Sequence, residues 1–356
     1  MNPGVIAGVG TALPEVQVTT DRLAGERGPE AVRLLQEVGF EAKHQPVDDV
    51  SPWHLATEAA RRALSAAQVE PQEVDLVLTV GLPRGEYRTW ALSLAVQKAL
   101  GMSRAAGLDL GDTTGGSLLA GLRVLKAKFA VDARRQIALL LLPHRFSDMV
   151  DLTRPGDRWL WPLGDAGAAL VVKRDGDGLA TLDHAFATDG AASRLLTVQS
   201  EVADEGPCPE SFYEKEWALI KWFTLRDPDR WYADYRERAG RHLPAVILGA
   251  VKRSGLRLED VACVQAGYLY PEIAEHLAAR LGPGVELRRH NAQGMLGGAE
   301  LGFALRELAA DPRVQGKHVV LVSACLPAHF GAMAFRMSQT ALPTVGAPSP
   351  VQSDRY

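Results

Sequence analysis

The sequence predicts an α/β protein built from two similar halves. Its 356 residues can bury a large core, and 47% hydrophobic with 23% charged residues is typical of a soluble globular protein. Short apolar runs of strand length alternate with amphipathic segments of helical period along most of the chain. The same order of elements occurs twice, and this alternation favours mainly parallel sheets covered by helices.

The first half has the predicted order βαβαβαββ. Its segments are, in chain order, VIAGVG, SPWHLATEAARRALSAA, VDLVLTVG, TWALSLAVQKALG, GLDL, SLLAGLRVLKAKFA, QIALLLLP and GAALVVKR. The helical segments place apolar residues three and four positions apart, which gives one buried face. The continuous apolar run IALLLLP suits a strand that is buried on both faces.

The second half repeats that order. Its segments are LATLDHAFA, HLPAVILGAVKRSG, VACVQAG, PEIAEHLAARLG, VELRRH, LGGAELGFALRELAA, HVVLVSA and GAMAFRM. We therefore expect an N-terminal half at residues 1–174 and a C-terminal half at residues 175–340. An aromatic-rich insertion at about 200–240 interrupts the repeat, and the Pro- and Ser-rich residues 341–356 are expected to form a disordered tail.

Composition excludes several classes of function. A net charge of -4 with dispersed basic residues argues against nucleic acid and anionic membranes as partners. We find neither a signal peptide nor an apolar run long enough to span a membrane, so a cytoplasmic location is expected. Three distant cysteines without CxxC spacing indicate neither disulfides nor zinc, and no HExxH-like pattern predicts a metal site.

A strand, a polar turn and a helix start follow one another in GLDLGDTTGGSLLAGL, residues 107–122. Enzymes often carry a nucleophile at such a turn, because the free N–H groups and dipole of the helix start stabilise a thiolate or an oxyanion. The turn holds Thr113 and Thr114 but no cysteine. A threonine hydroxyl stays protonated at neutral pH, so Thr114 needs a neighbouring base to attack an acyl group. Alternatively, Asp112, Thr113 or Thr114 simply caps the helix.

Five blocks together resemble β-ketoacyl-acyl carrier protein synthase III and its thiolase-fold relatives. These blocks are GVGTALPE, GLDLGDTTGGSLLAGL, PLGDAGAALVV, RHNAQGMLGGAELGFAL and SACLPAHFGAMAFRM, and they span roughly residues 3–338. The resemblance implies a thiolase fold with five layers in the order α-β-α-β-α. It also implies a homodimer, and a site at the strand ends between the two halves.

The resemblance also implies which residues occupy the family's catalytic positions. Thr114 stands where the family has its cysteine nucleophile. Gln265 stands where it has a histidine, or Val264 does if the alignment shifts by one residue. A glutamine can donate a hydrogen bond, but it cannot accept and return a proton. Asn291 matches the family's asparagine, a neutral donor toward the thioester oxygen.

Further candidates lie near these positions. The resemblance gives the main-chain amide of Leu326 a place in the oxyanion hole, and Thr113 is a candidate for substrate binding. Cys325 is either a displaced nucleophile or part of the core. Three histidines fall at strand ends or turns, and each is either a base for Thr114 or a structural residue. They are His144, His290 and His329.

We therefore expect an acyltransferase of antibiotic-type secondary metabolism. It would move an acyl group from a phosphopantetheine thioester, on a carrier protein or coenzyme A, to a hydroxyl or amine, with no tightly bound cofactor. Glu41 replaces an arginine that the family uses for coenzyme A, which favours the carrier protein. The alternatives are a non-catalytic or chain-length partner in a heterodimer with a related synthase, and a decarboxylative synthase III with an altered site. The sequence names neither the acyl group, nor the acceptor, nor the pathway.

Overall fold

The computed structural model describes residues 4–45, 50–81, 91–111, 116–192, 197–199, 222–225, 227–325, 329–339 and 350–351. In the first half the strands are β1 (Val5–Pro14), β2 (Val16–Thr19), β3 (Ala42–Gln45), β4 (Leu76–Val80), β5 (Ala106–Leu110), β6 (Ile137–Arg145) and β7 (Asp165–Lys173). The second half contributes β8 (Leu179–Thr188), β9 (Thr197–Gln199), β10 (Trp222–Thr224), β11 (Val261–Ala266), β12 (Glu286–Arg289), β13 (His318–Cys325), β14 (His329–Arg336) and β15 (Pro350–Val351).

Eight α-helices lie within the described residues. They are α1 (Thr20–Arg27), α2 (Pro29–Val38), α3 (Pro52–Ala67), α4 (Leu92–Ala99), α5 (Ser117–Val131), α6 (Pro228–Arg253), α7 (Pro271–Leu281) and α8 (Gly298–Ala310). Short 3-10 turns occur at Pro71–Glu73, Ser147–Met149, Pro155–Leu160, Gly190–Ala192 and Leu258–Asp260.

One sheet path joins both halves in the order β12-β11-β13-β14-β8-β1-β7-β6-β4-β5. Within each half the five strands have the same spatial order, third, second, fourth, fifth and first in sequence. The halves meet where the start of β1 pairs with β8. Each half combines parallel pairs around its second strand with antiparallel pairs at its last strand. The duplicated order that the sequence predicts is therefore confirmed.

The helices complete five layers. Helices α3 and α4 cover one face of the first five-stranded unit, and α6 and α7 cover the far face of the second. Helices α5 and α8 pack between the two units and contact strands of both. Strand β6 is therefore buried on both faces. Leu140 packs in the central core, whereas Leu139 and Leu141 pack in the core under α3. The α-β-α-β-α arrangement is thus confirmed, as is burial of IALLLLP on both faces.

The aromatic end of the predicted insertion is part of the core. The first turns of α6 bury Trp231, Tyr232 and Tyr235. The Tyr232 ring stacks on Trp159 with a centroid distance of 3.6 Å, and Tyr270 packs edge-on against both rings. These three aromatic residues therefore belong to the hydrophobic core of the second half. Residues 200–221 of the insertion lie outside the described part.

Two smaller pairings complete the picture. Strands β2 and β3, which α1 and α2 connect, form a two-stranded antiparallel sheet that the sequence did not predict. In the segment expected to be disordered, Pro350–Val351 pair in parallel with Leu13 and Pro14 of β1. No helix in the described ranges is both long and apolar enough to cross a bilayer.

Candidate functional site

Two helix starts meet between the halves. Helix α5 follows β5, and α8 occupies the corresponding place in the second half. A Cβ atom on Gly298 would lie 1.7 Å from the Ser117 Oγ, so only glycine allows this approach. Since the first N–H groups of a helix lack partners within it, two positive helix ends converge here.

The predicted nucleophile turn directly precedes the start of α5 in the sequence. Its residues 112–115, including Thr113 and Thr114, lie outside the described part of the chain. The described residues Gly111 and Gly116 fix its two ends, at the end of β5 and the start of α5. Leu326, the predicted oxyanion donor, also lies outside, between β13 and β14.

His144, at the end of β6, lies beside the start of α8. Its side chain is 5% exposed, and a Cβ on Gly297 would lie 2.6 Å from its Nδ1. Burial lowers the pKa of His144 to about 3, opposed by a hydrogen bond to the Met295 main chain. The Nε2 atom is buried and has no hydrogen-bond partner in the described structure. His144 is therefore neutral and presents an unused Nε2 lone pair.

Asn291, which the sequence predicts to donate toward the thioester oxygen, is buried and hydrogen-bonded to the main chain. Its Nδ2 donates to the carbonyl oxygens of Leu269 at 3.1 Å and Gly39 at 3.4 Å, and its Oδ1 accepts from the Leu269 N–H at 3.3 Å. Both amide protons thus point toward main-chain carbonyl oxygens in this structure. A buried amide must satisfy its polar atoms, and Asn291 does so by tying the end of α2 to the segment after β11.

Gln265 lies near the end of β11 and is 3% exposed. Its Nε2 donates to the carbonyl oxygen of Ala266 at 3.0 Å. One of its two amide protons is therefore used locally.

The other two histidines have different surroundings from those of His144. His290 is buried, its ring stacks on Phe303, and its Nδ1 lies 3.3 Å from a carboxylate oxygen of Glu307. His329 is exposed at the start of β14. It lines a cavity of about 60 Å³ with Gly116 at the start of α5. His144 is the histidine that packs on Gly297, directly before α8.

Three buried charged residues near the site were not identified from the sequence. Asp165, inside the quoted GDAGAALVV block, accepts hydrogen bonds from the Phe146 and Ser147 main chain at 2.7 and 2.9 Å and so fixes the turn after His144. Burial raises the pKa of Asp165. Lys43 is fully buried and donates to the Leu163 carbonyl at 3.1 Å, and burial lowers its pKa to about 8.

The third is Glu300, in the first turn of α8. It is 2% exposed, and its Oε2 accepts from the Leu296 N–H at 3.2 Å. The Tyr268 main chain also hydrogen-bonds the carboxylate, yet burial dominates and raises the pKa of Glu300 to about 8. An acidic residue inside the otherwise apolar LGGAELGFAL was the signal for it in the sequence. Among the described residues, no cluster of three or more His, Cys, Asp or Glu side chains could hold a metal ion.

Comparisons with known proteins agree with the fold. No protein-family model matches the sequence. The β-ketoacyl-[acyl-carrier-protein] synthase III of Bordetella petrii is 32% identical over 208 residues, which cover 57% of this chain and 62% of that protein. The match thus spans less than two thirds of the relative's length.

Solved structures extend the likeness over nearly the whole chain. The 3-oxoacyl-(acyl carrier protein) synthase III of Pseudomonas aeruginosa superposes with a TM-score of 0.79 at 22% identity, covering 94% of this chain and 98% of that one. The priming β-ketosynthase of the R1128 polyketide biosynthetic pathway gives 0.79 at 19% identity, covering 95% and 97%. The chain therefore has the thiolase fold of these synthases, and over more than half of its length its sequence is similar to synthase III.

Proposed function

We propose that the protein is an acyltransferase that moves an acyl group from a thioester to a hydroxyl or amine acceptor. The observation that carries this proposal is the meeting of two helix starts beside the Nε2 of His144, which accepts no hydrogen bond from the described residues. Positive helix ends stabilise the negative charge that develops on a carbonyl oxygen during acyl transfer. The reaction involves no decarboxylation, so it does not require the histidine that Gln265 replaces.

The bond changes follow from this arrangement. The acceptor oxygen or nitrogen bonds to the carbonyl carbon, the carbon–sulfur bond breaks, and the acceptor's proton passes to the departing thiolate. His144 accepts a hydrogen bond from the attacking group through Nε2. Because its pKa is about 3, it orients that group rather than carrying its proton at neutral pH. Thr114 either forms a covalent acyl intermediate first or caps α5 beside the bound thioester.

The remaining roles are part of the same proposal. Leu326 and Thr113 bind the acyl oxygen, with Gln265 donating its second amide proton. The cavity of about 60 Å³ beside Gly116 has room for a short acyl chain of a few carbon atoms. The donor is a phosphopantetheine thioester, preferably on a carrier protein, and the enzyme is a cytoplasmic homodimer of secondary metabolism. The similarity to named synthase III enzymes and to a polyketide-pathway synthase supports this setting.

A second candidate is a non-catalytic partner of an active synthase. The commitment of both Asn291 amide protons to main-chain carbonyls favours it, because that side chain is then lost to carbonyl activation. Decarboxylative condensation, the reaction of the named relatives, ranks third, since Thr114 and Gln265 replace two of the three residues it uses.

One experiment separates these candidates. The purified protein is incubated with a panel of acyl-carrier-protein thioesters and with hydroxyl and amine acceptors, and then analysed by intact mass spectrometry. A stable adduct that Thr114→Ala abolishes and the neighbouring Thr113→Ala retains supports the covalent route. Turnover that survives Thr114→Ala supports direct transfer. If no donor and acceptor pair gives turnover, the proposed acyltransferase activity is contradicted, and the non-catalytic partner of an active synthase is favoured.

A further inference from the structure

Glu300 joins the two segments that carry the site in the second half. Its Oε2 accepts from the N–H of Leu296, which immediately precedes the two glycines at the start of α8. Its carboxylate also hydrogen-bonds the main chain of Tyr268, just beyond the end of β11. One side chain thereby fixes the position of the α8 start relative to the strand end.

The surrounding backbone is shaped to admit this carboxylate. A Cβ on Gly267 would lie 2.2 Å from the Glu300 Oε1 and 2.6 Å from its carboxyl carbon. Any side chain at position 267 would displace the carboxylate, because contacts this short do not occur. On the other side, Gly297 packs on His144 and Gly298 on Ser117. Leu296, which Glu300 holds, is therefore followed directly by the two glycines that pack on His144 and Ser117.

Among the described residues, no cation pairs with the Glu300 carboxylate. Its hydrogen bonds come from the main-chain N–H groups of Leu296 and Tyr268. The titratable groups on the neighbouring elements are engaged elsewhere. His144 on β6 bonds Met295, and Asp165 on β7 bonds the turn after β6. The Tyr268 hydroxyl bonds the Val38 carbonyl, and His290 faces a carboxylate further along α8.

We propose that Glu300 is a positioning residue, whose carboxylate holds the start of α8 against β11 and so sets the places of His144 and Ser117 at the reacting centre. This inference rests on the proposed acyl transfer. A carboxylate accepts two main-chain N–H bonds better than the protonated acid does, so the ionised form holds the helix start more firmly. The rate of transfer should therefore rise with pH as Glu300 loses its proton.

The test combines a structural readout with a kinetic one. Backbone amide and imidazole signals are followed by NMR across neutral to alkaline pH in the wild-type protein, in Glu300→Gln and in Glu275→Gln. Glu275 is exposed on α7, away from the site, and serves as the matched control. Transfer from an acetyl-carrier-protein thioester is measured over the same range. A third variant, Gly267→Ala, displaces the carboxylate without removing it.

In the wild type and in Glu275→Gln, the amides of Leu296 and Tyr268 should titrate together, and the His144 ring and Ser117 amide should follow with the same midpoint. Glu300→Gln should abolish this shared titration, lower kcat about tenfold with KM changed less than about threefold, and flatten the pH profile. Gly267→Ala should weaken the titration in the same four signals.

The two proposals fail in different ways. If Leu296 and Tyr268 titrate but His144 and Ser117 do not respond, the positioning role is wrong even where transfer is observed. If kcat and the pH profile are unchanged in Glu300→Gln, the positioning role is likewise wrong. If all four signals titrate together while no acyl group of the thioester panel is transferred, the proposed function is wrong, because the tie to the site then exists without the activity.

Discussion

Replacing Glu300 by Gln should change how the stability of the protein depends on pH. Burial raises the pKa of Glu300 from its ordinary 4.5 to about 8. The unfolded chain releases this proton near the ordinary pKa, whereas the folded protein keeps it until near pH 8. Between these values the folded state binds the extra proton, so this group makes the protein less stable as pH rises.

The size of the effect follows from the same pKa. Each pH unit in this window changes the free energy of unfolding by about 1.4 kcal/mol. Between about pH 5 and about pH 8 the contribution of Glu300 should therefore fall by roughly 3 to 4 kcal/mol. Glutamine has no proton to exchange, and its NH₂ group would face one of the two main-chain N–H donors. The variant should be less stable than the wild type at low pH, and the difference should shrink or reverse near pH 8.

Urea unfolding at several pH values between about 5 and 8 tests this expectation. The wild type, Glu300→Gln and Glu275→Gln are compared, and the quantity of interest is the wild-type minus variant difference at each pH. Glu275→Gln should give a nearly constant difference, because Glu275 is exposed. A constant difference for Glu300→Gln as well would refute the reasoning, since Glu300 would then ionise alike in both states.

Three further variants test the contacts around the site. Gly298→Ala should lower the free energy of unfolding by about 1 to 3 kcal/mol in denaturant unfolding. Adding Ser117→Ala to that variant should recover part of the loss. If nothing is recovered, the close approach of α5 and α8 is contradicted. Burial lowers the pKa of His144 from 6.5 to about 3, so the unfolded chain takes up this proton before the folded protein does. The wild type should therefore lose stability as pH falls below about 6.5. In acid unfolding, His144→Gln should lack that loss. Trp159→Ala removes the ring that stacks on Tyr232, so it should lower the free energy of unfolding by about 3 to 5 kcal/mol in thermal or urea unfolding. A loss under about 1 kcal/mol would show that the stacked pair contributes little to stability.

The sequence predicted the sheet and its covering helices because their signals are local. Nine of the ten strands of the main sheet path show a continuous or alternating apolar run, whereas β12 has Leu287 as its one apolar residue. Burial on both faces explains runs such as IALLLLP. The pairing of β2 with β3 was missed because each strand has only four residues, and β3, Ala42–Gln45, is largely polar. Helices α1 and α2 lie in the same unassigned stretch.

The site was less predictable, since its contacts join residues far apart in the chain. Asn291 fits a family pattern in sequence, yet hydrogen bonds to Gly39 and Leu269 decide what its amide does. Three histidines were equally eligible until the fold brought His144, and not His290, against the start of α8. Glu300 gave a weak signal because an acidic residue in a first helical turn is common and usually exposed.

The duplication itself accounts for the electrostatics of this site. Helices α5 and α8 occupy equivalent places in the two halves, so the symmetry that builds the central layer brings two positive helix ends together at Ser117 and Gly298. Each end carries roughly half a positive charge, and two such ends at close range repel unless negative charge lies nearby. Glu300, which bonds main-chain N–H groups in this region, supplies that charge when ionised. An acyl oxygen that gains negative charge beside the same two ends would supply it during the reaction, and this is the physical reason for proposing acyl transfer at this junction.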